Sequence, residues 1–194
     1  MTDVVEVVDQ YLETLGRVLK DLDRGEISRL IDILQSARVE RRTVFIFGNG
    51  GSAATASHIA CDLNKGADNG VAPRFKVLSL SDNVPTMMAL ANDMSYVDIF
   101  AEPLKNFLKK GDVAIGISGS GNSPNVLKAI TYANENGGIS VGITGYQGGK
   151  LKSLASHSVN VRYNDMQISE DIHLILGHIL MKVFCALPDG VCRV

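Results

Sequence analysis

Hydrophobic positions near the start of the chain recur at helical spacing. Val4, Val8, Tyr11, Leu15, Val18 and Leu22 follow four- and three-residue steps, and Val5, Leu12 and Leu19 widen the stripe. This predicts a helix over 3–24, stopped by Gly25. Ile27, Leu30, Ile31 and Leu34 predict a second helix over 26–40. The pattern then changes. Thr43 leads Val44–Phe47, a short apolar run of the kind a strand buried on both faces requires, and it ends at Gly48-Asn49-Gly50-Gly51-Ser52. The small helix formers Ala53, Ala54 and Ala56 follow at once. Further apolar runs predict strands over 75–80, 113–117, 139–144 and 158–162. Between and after them, helices are expected over 85–91, over 96–109, from Pro124, and over 169–187 with Ser169 as its cap. Strands alternating with helices imply a parallel sheet covered on both faces.

Composition narrows the class. The chain has 194 residues, an apolar fraction of 45% and no Trp, which suits one α/β domain over 1–194 packed from Ala, Val, Ile and Leu. Residues 1–40 form the two leading helices and 41–194 the sheet-bearing core. The net charge is −2, and basic residues cluster no further than Arg38–Arg42 and Lys109-Lys110, so nothing marks a nucleic-acid partner. Cys61, Cys185 and Cys192 show no CxxC spacing, which indicates neither a disulfide framework nor a thiolate zinc site. The start, MTDVVEVVDQ, is acidic where a signal peptide is basic, and no apolar run reaches membrane-spanning length. The expected setting is the cytoplasm, with no membrane partner. The stripe of the leading helix reads equally as cover for the chain's own sheet or as a seam between copies.

The candidate chemistry lies in the turns after the strands. Glycines at 48, 50 and 51 let backbone N–H groups approach a ligand, and the helix that opens there aims further N–H groups and its positive dipole end at the same point. That arrangement suits a phosphate. GNGGS is neither a Walker loop nor GxGxxG, so no nucleotide cofactor is expected. Ser118-Gly119-Ser120-Gly121-Asn122-Ser123, followed by Pro124, repeats the design, with serine hydroxyls added to the backbone donors. Both turns fall at the carboxyl ends of strands, where open parallel sheets bind ligands. One turn into the first helix, His58 and Asp62 are four residues apart and share a face. The last helix carries His173 and His178, about 140° apart around its axis. Glu170 and His178 are separated by about 80° and roughly 12 Å along it. Read as structure alone, such a helix carries one buried, hydrogen-bonded histidine.

Together, GNGGSAA with its His-x-x-x-carboxylate helix, the AxxND ending at Asp93, SGSGNS, TGYxGG and the late EDIHxxxxH resemble the sugar isomerase (SIS) family. Within it, the resemblance is closest to the sedoheptulose 7-phosphate (phosphoheptose) isomerases and spans nearly the whole chain. It implies a three-layer flavodoxin-like sandwich with a five-stranded parallel sheet, preceded by two helices, in a homotetramer with active sites between subunits. The implied reaction converts sedoheptulose 7-phosphate to D-glycero-D-manno-heptose 7-phosphate, a precursor of bacterial surface polysaccharides such as lipopolysaccharide.

Carried over by motif, the phosphate contacts fall on Ser52, Ser118, Ser120 and Ser123. Asn49, Gly50, Gly51, Gly119, Asp93 and Glu170 stand on the sugar side, and Asp62 and His178 form the acid/base pair. A zinc ion is implied on His58, Asp62, Glu170 and His178, a set of two imidazoles and two carboxylates that suits Zn²⁺. Departures gather around the sugar. Asp62 stands for a Glu, Glu170 for a Gln, Gly119 for the Thr of STSGNS, and Gly66 for an Arg, while an Asp expected before the last helix falls near Gln167. Two alternatives follow: an isomerase for another phosphosugar, and a non-catalytic relative of the module that binds the DnaA replication initiator. Retention of His or carboxylate at all four metal positions favours catalysis.

Overall fold

Strand β1 (Val44–Gly48) sends alternate side chains into two separate cores. Val44 and Ile46 point into one and Phe45 and Phe47 into the other, the period-2 consequence of a strand buried on both faces. The computed structural model describes residues 3–67, 70 and 72–186. β1 is joined by β2 (Val77–Ser79), β3 (Val113–Ser118), β4 (Ile139–Thr144) and β5 (His157–Asn160) in a parallel sheet of order β2-β1-β3-β4-β5. This is the flavodoxin-like order, with its switch point between β1 and β3. The register pairs Ile46 with Ile115 and Ile115 with Val141, so the first core runs continuously across the sheet.

On that face lie α1 (Val4–Lys20), α2 (Arg24–Val39), α3 (Gly51–Cys61) and α8 (Met166–Ala186). The other face is covered by α5 (Ala101–Phe107), α6 (Pro124–Glu135) and α7 (Gly149–Leu154), with Met87 and Leu90 of α4 (Val84–Asp93) packing at its margin. The three-layer α/β class read from the sequence is the one observed. Asn83 caps α4 by accepting from the Thr86 N–H, with Pro85 in the first turn.

Several boundaries differ, each for a local reason. Gly25 does not stop the first helix. It lies inside α2, whose N-cap Asp23 accepts from the N–H groups of Gly25 and Glu26. The long helix expected over 96–109 is a 3-10 turn (Tyr96–Asp98) followed by α5, and α7 was not anticipated from the glycine-rich turn preceding it. β2 and β5 are shorter than their apolar runs. Ser169 does not cap α8: Asp165 does, accepting from the Ile168 N–H, while the Ser169 hydroxyl donates back to the Asp165 carbonyl. The expected end at Leu187 lies outside the described residues.

α1 packs only in part. Val18 is buried, and Tyr11, Leu15 and Leu19 lean on the core, but Val4, Val8 and Leu12 are 75%, 50% and 59% exposed. Tyr11 donates to Asp171 of α8 at 2.6 Å, and this bond, with burial and the negative charges nearby, raises its hydroxyl to about 12. No helix among the described residues is long and apolar enough to cross a membrane.

Candidate active site

Two loops lie side by side at the carboxyl edge of the sheet, one after β1 and one after β3. In the first, Gly50 has φ +53° and turns the chain from β1 into α3. In the second, Gly121 has φ +65°. Neither α3 nor α6 has a side-chain bond from its N-cap residue. Ala53 N–H turns back to Gly50 O, Val126 N–H donates to Asn125 Oδ1 and Pro124 has no N–H. The first-turn amides that remain for a ligand are those of Gly51 and Ser52 in α3 and Asn125 in α6. Ser52 and Ser118 are buried, and the Ser118 and Ser123 hydroxyls lie 3.0 Å apart, near enough to share one phosphate oxygen. Ser120 is exposed and accepts from the Asn122 N–H at 3.2 Å. None of these donors carries a charge.

The second loop is braced by the 145–149 turn. Gly145 N–H donates to Gly119 O, Leu151 N–H to Gly121 O, and Lys150 N–H to the Asn122 side chain. A Cβ on Gly121 would collide with the Gly148 carbonyl, and at that φ a side chain is strained in any case. Gly121→Ala is therefore expected to raise KM for a phosphorylated substrate at least tenfold with a smaller change in kcat, measured by steady-state kinetics. Sequence reading found the serines but missed Asn125 and Tyr96. Asn125 is buried and exchanges reciprocal hydrogen bonds with Asn49 at 3.0 and 2.8 Å, while the Tyr96 hydroxyl donates to Asn49 Oδ1 at 3.0 Å. Asn49 is thus fixed from two elements. An Asn next to Pro at a helix start reads as a turn former, which hides this role.

The histidines meet where α3 and α8 come closest. Gly177 allows it: a Cβ there would stand 2.6 Å from Ile59 Cγ1. Next to that contact, His58 Nε2 and His178 Nε2 are 3.0 Å apart, and His58 Nε2 is 3.3 Å from Asp62 Oδ2. Asp62 opens a π-helical turn (Asp62–Gly66), a device often found at functional sites. The ligand atoms of His58, Asp62 and His178 all lie within 4.8 Å of one another. Zinc bonds of about 2.0–2.2 Å, tetrahedrally arranged, separate donor atoms by about 3.3–3.6 Å, so this trio suits the ion.

Glu170, assigned above to the same ion, is placed differently. It stands outside the trio, and its carboxylate lies against Gly51, with Oε2 2.5 Å from where a Cβ would be. Asp93 ends α4, exposed, and accepts from Asn92 at 2.7 Å. His173 is fully buried, but neither ring nitrogen has a well-formed hydrogen bond. Burial pulls it down to about 4, against a smaller opposing effect of the Thr144 backbone. Because the folded state resists protonation there, stability falls as pH drops from about 6.5 to about 4, by roughly 3 kcal/mol in all. His173→Asn is expected to flatten this part of the curve when urea midpoints are compared across that range.

An open parallel sheet with uncapped helix starts and serine hydroxyls at its switch point, beside a metal-suited trio, defines a class of phosphosugar-binding α/β proteins. Residues 9–145 match the SIS domain family model. The chain is 36% identical over 185 residues to a phosphoheptose isomerase of Thermodesulfovibrio yellowstonii, covering 93% of this chain and 91% of the relative. It is 35% identical over 179 residues to one from Paramagnetospirillum magneticum, covering 89% of each. Its fold matches the phosphoheptose isomerase structure from Neisseria gonorrhoeae with a TM-score of 0.88 at 22% identity, over 95% of this chain and 100% of that one. The chain belongs to the SIS domain family, among the phosphoheptose isomerases.

Proposed function

We propose that this protein is an aldose–ketose isomerase acting on sedoheptulose 7-phosphate, with the phosphate on the two loops and the carbonyl end at the histidines. The observation that carries it is the convergence of Asp62 and His178, 116 positions apart in sequence, with His58 on the edge that holds both phosphate loops. Isomerisation moves a proton between C1 and C2 through an enediol, which takes a base at carbon and an acid at oxygen. Asp62 and His178 share those roles; with an ion held on one carboxylate oxygen and one ring nitrogen, the second oxygen and the second nitrogen are the atoms left to move protons. Ser52, Ser118, Ser120 and Ser123, with the amides of Gly51, Ser52 and Asn125, hold the phosphate, while Asn49 and Glu170 flank the sugar. His58, Asp62 and His178 would hold a zinc ion, leaving a fourth position open. When bound, the ion supplies Lewis-acid polarisation of the carbonyl.

The site belongs to an oligomer, in the tetrameric arrangement of the resemblance. The His58 side chain is 46% exposed in one chain, and the apolar stripe of Val4, Val8 and Leu12 stands ready for a second copy. The cytoplasm is the setting that fits a sugar-phosphate substrate. Incubating purified protein with sedoheptulose 7-phosphate and following the aldose product tests the reaction. Elemental analysis tests the metal, with about one zinc per chain expected and His58→Ala losing it. No product formation with zinc supplied would overturn the proposal, and a monomer of full activity by light scattering would overturn its assembly.

A further inference from the structure

α8 runs across the carboxyl edge of the sheet and meets the loops one after another. Met166 lies against Gly119, Ser169 against Gly145, Glu170 against Gly51 and Gly177 against Ile59, with His178 beyond. Met166 and Glu170 are four residues apart and therefore share the face of α8 turned to the two cradle loops. Glu170 brings a carboxylate to that face. Met166 brings a thioether, a weak acceptor that donates nothing.

Gly119 sits between Ser118 and Ser120, in the middle of the serine turn, and its φ is not in the left-handed region. Its backbone would accept a side chain, but only if the thioether end of Met166 swings aside. Sδ of Met166 lies too close to where a Cβ would stand for both to fit unmoved, and Cε stands 3.3 Å from that position. The methionine has taken the room that a hydroxyl-bearing residue in the turn would use. It is only half-buried, so the thioether also borders the open site.

Resting on the functional reading above, we infer that Met166 is a specificity-determining residue that presents an apolar wall to the carbon next to the phosphate ester. A site that pairs a substrate hydroxyl rejects the analogue lacking it by about 10⁴–10⁵, because its own polar group is left unpaired, whereas an apolar wall discriminates by only about 10² or less. With Met166 in place, a hydroxyl on that carbon is tolerated but not demanded. Chain length and stereochemistry near the phosphate are thus read loosely, and selectivity rests on the carbonyl end.

The test compares kcat/KM for sedoheptulose 7-phosphate and its 6-deoxy analogue. Wild type is expected to favour the natural substrate by less than about 100-fold. Gly119→Ser alone displaces the Met166 thioether into the open site and lowers kcat/KM on both. Adding Met166→Ala restores activity and raises the preference for the 6-hydroxyl at least tenfold, a selectivity change that repair of packing alone would not produce. A wild-type preference above about 10³, or a double variant active with an unchanged preference, overturns the inference while leaving the isomerase reading intact. No turnover of either compound by wild type, with zinc supplied, removes both.

Discussion

Replacing His178 with Gln leaves a folded protein whose kcat is about 10²–10⁴-fold lower, the range that one general acid or base supplies. His178 is exposed on α8 and contributes little to the core, so circular dichroism and melting temperature should stay near those of wild type. Its ring meets His58 edge-on, with centroids 5.0 Å apart at 74°. Gln retains a donor and an acceptor at about the same reach but cannot shuttle a proton near neutral pH. Asp62→Asn is expected to behave alike. Wild-type turnover in either variant, measured with saturating substrate and zinc, would remove the assigned role.

The second large effect is expected at a residue that touches no substrate. Gly177→Ala places a methyl group 2.6 Å from Ile59 Cγ1, and Ile59 is held in the core with little freedom to yield. Pushing α8 away from α3 costs about 1–3 kcal/mol of stability. Because His58 precedes Ile59 and His178 follows Gly177, the same shift separates the histidines. A displacement near 1 Å at a reaction centre can cost about 10²-fold in rate. Ile59→Ala in the same chain clears the space, and the double variant should recover part of the lost activity in spite of its cavity. Independent losses in a double-mutant cycle would show that the helix contact does not set the spacing.

The sheet and its loops were legible because their signals are local. Val44–Phe47 ending in GNGGS, and Val113–Ile117 ending in SGSGNS, carry strand, turn and helix start in one window. His58 with Asp62 needed only helix geometry. His178 did not: its meeting with His58 depends on Gly177 facing Ile59 across two helices, and no spacing within α8 reveals that. Glu170 was assigned to the metal by family pattern, but its place one turn beyond Met166 sets it over Gly51, beside the cradle. The role of Asn125, and the bracing of the serine loop by the 145–149 turn, were hidden for the same reason, since they act on loops distant in sequence. The cap of α8 was misread: Ser169 was expected there, and Asp165 fills the position. Asp165 prevailed because it precedes the first helical residue, which leaves Ser169 to bond back into the turn.

The two loops offer a ligand only amide dipoles and hydroxyl groups, none of which titrates between acid and weakly alkaline conditions. Affinity for a phosphomonoester should then follow the ester's own second ionisation, near pH 6, and be flat above it. The cradle itself adds no pH dependence to binding, so a loss of affinity on acidification through about pH 6 would report the ligand's own protonation and not a change in the protein.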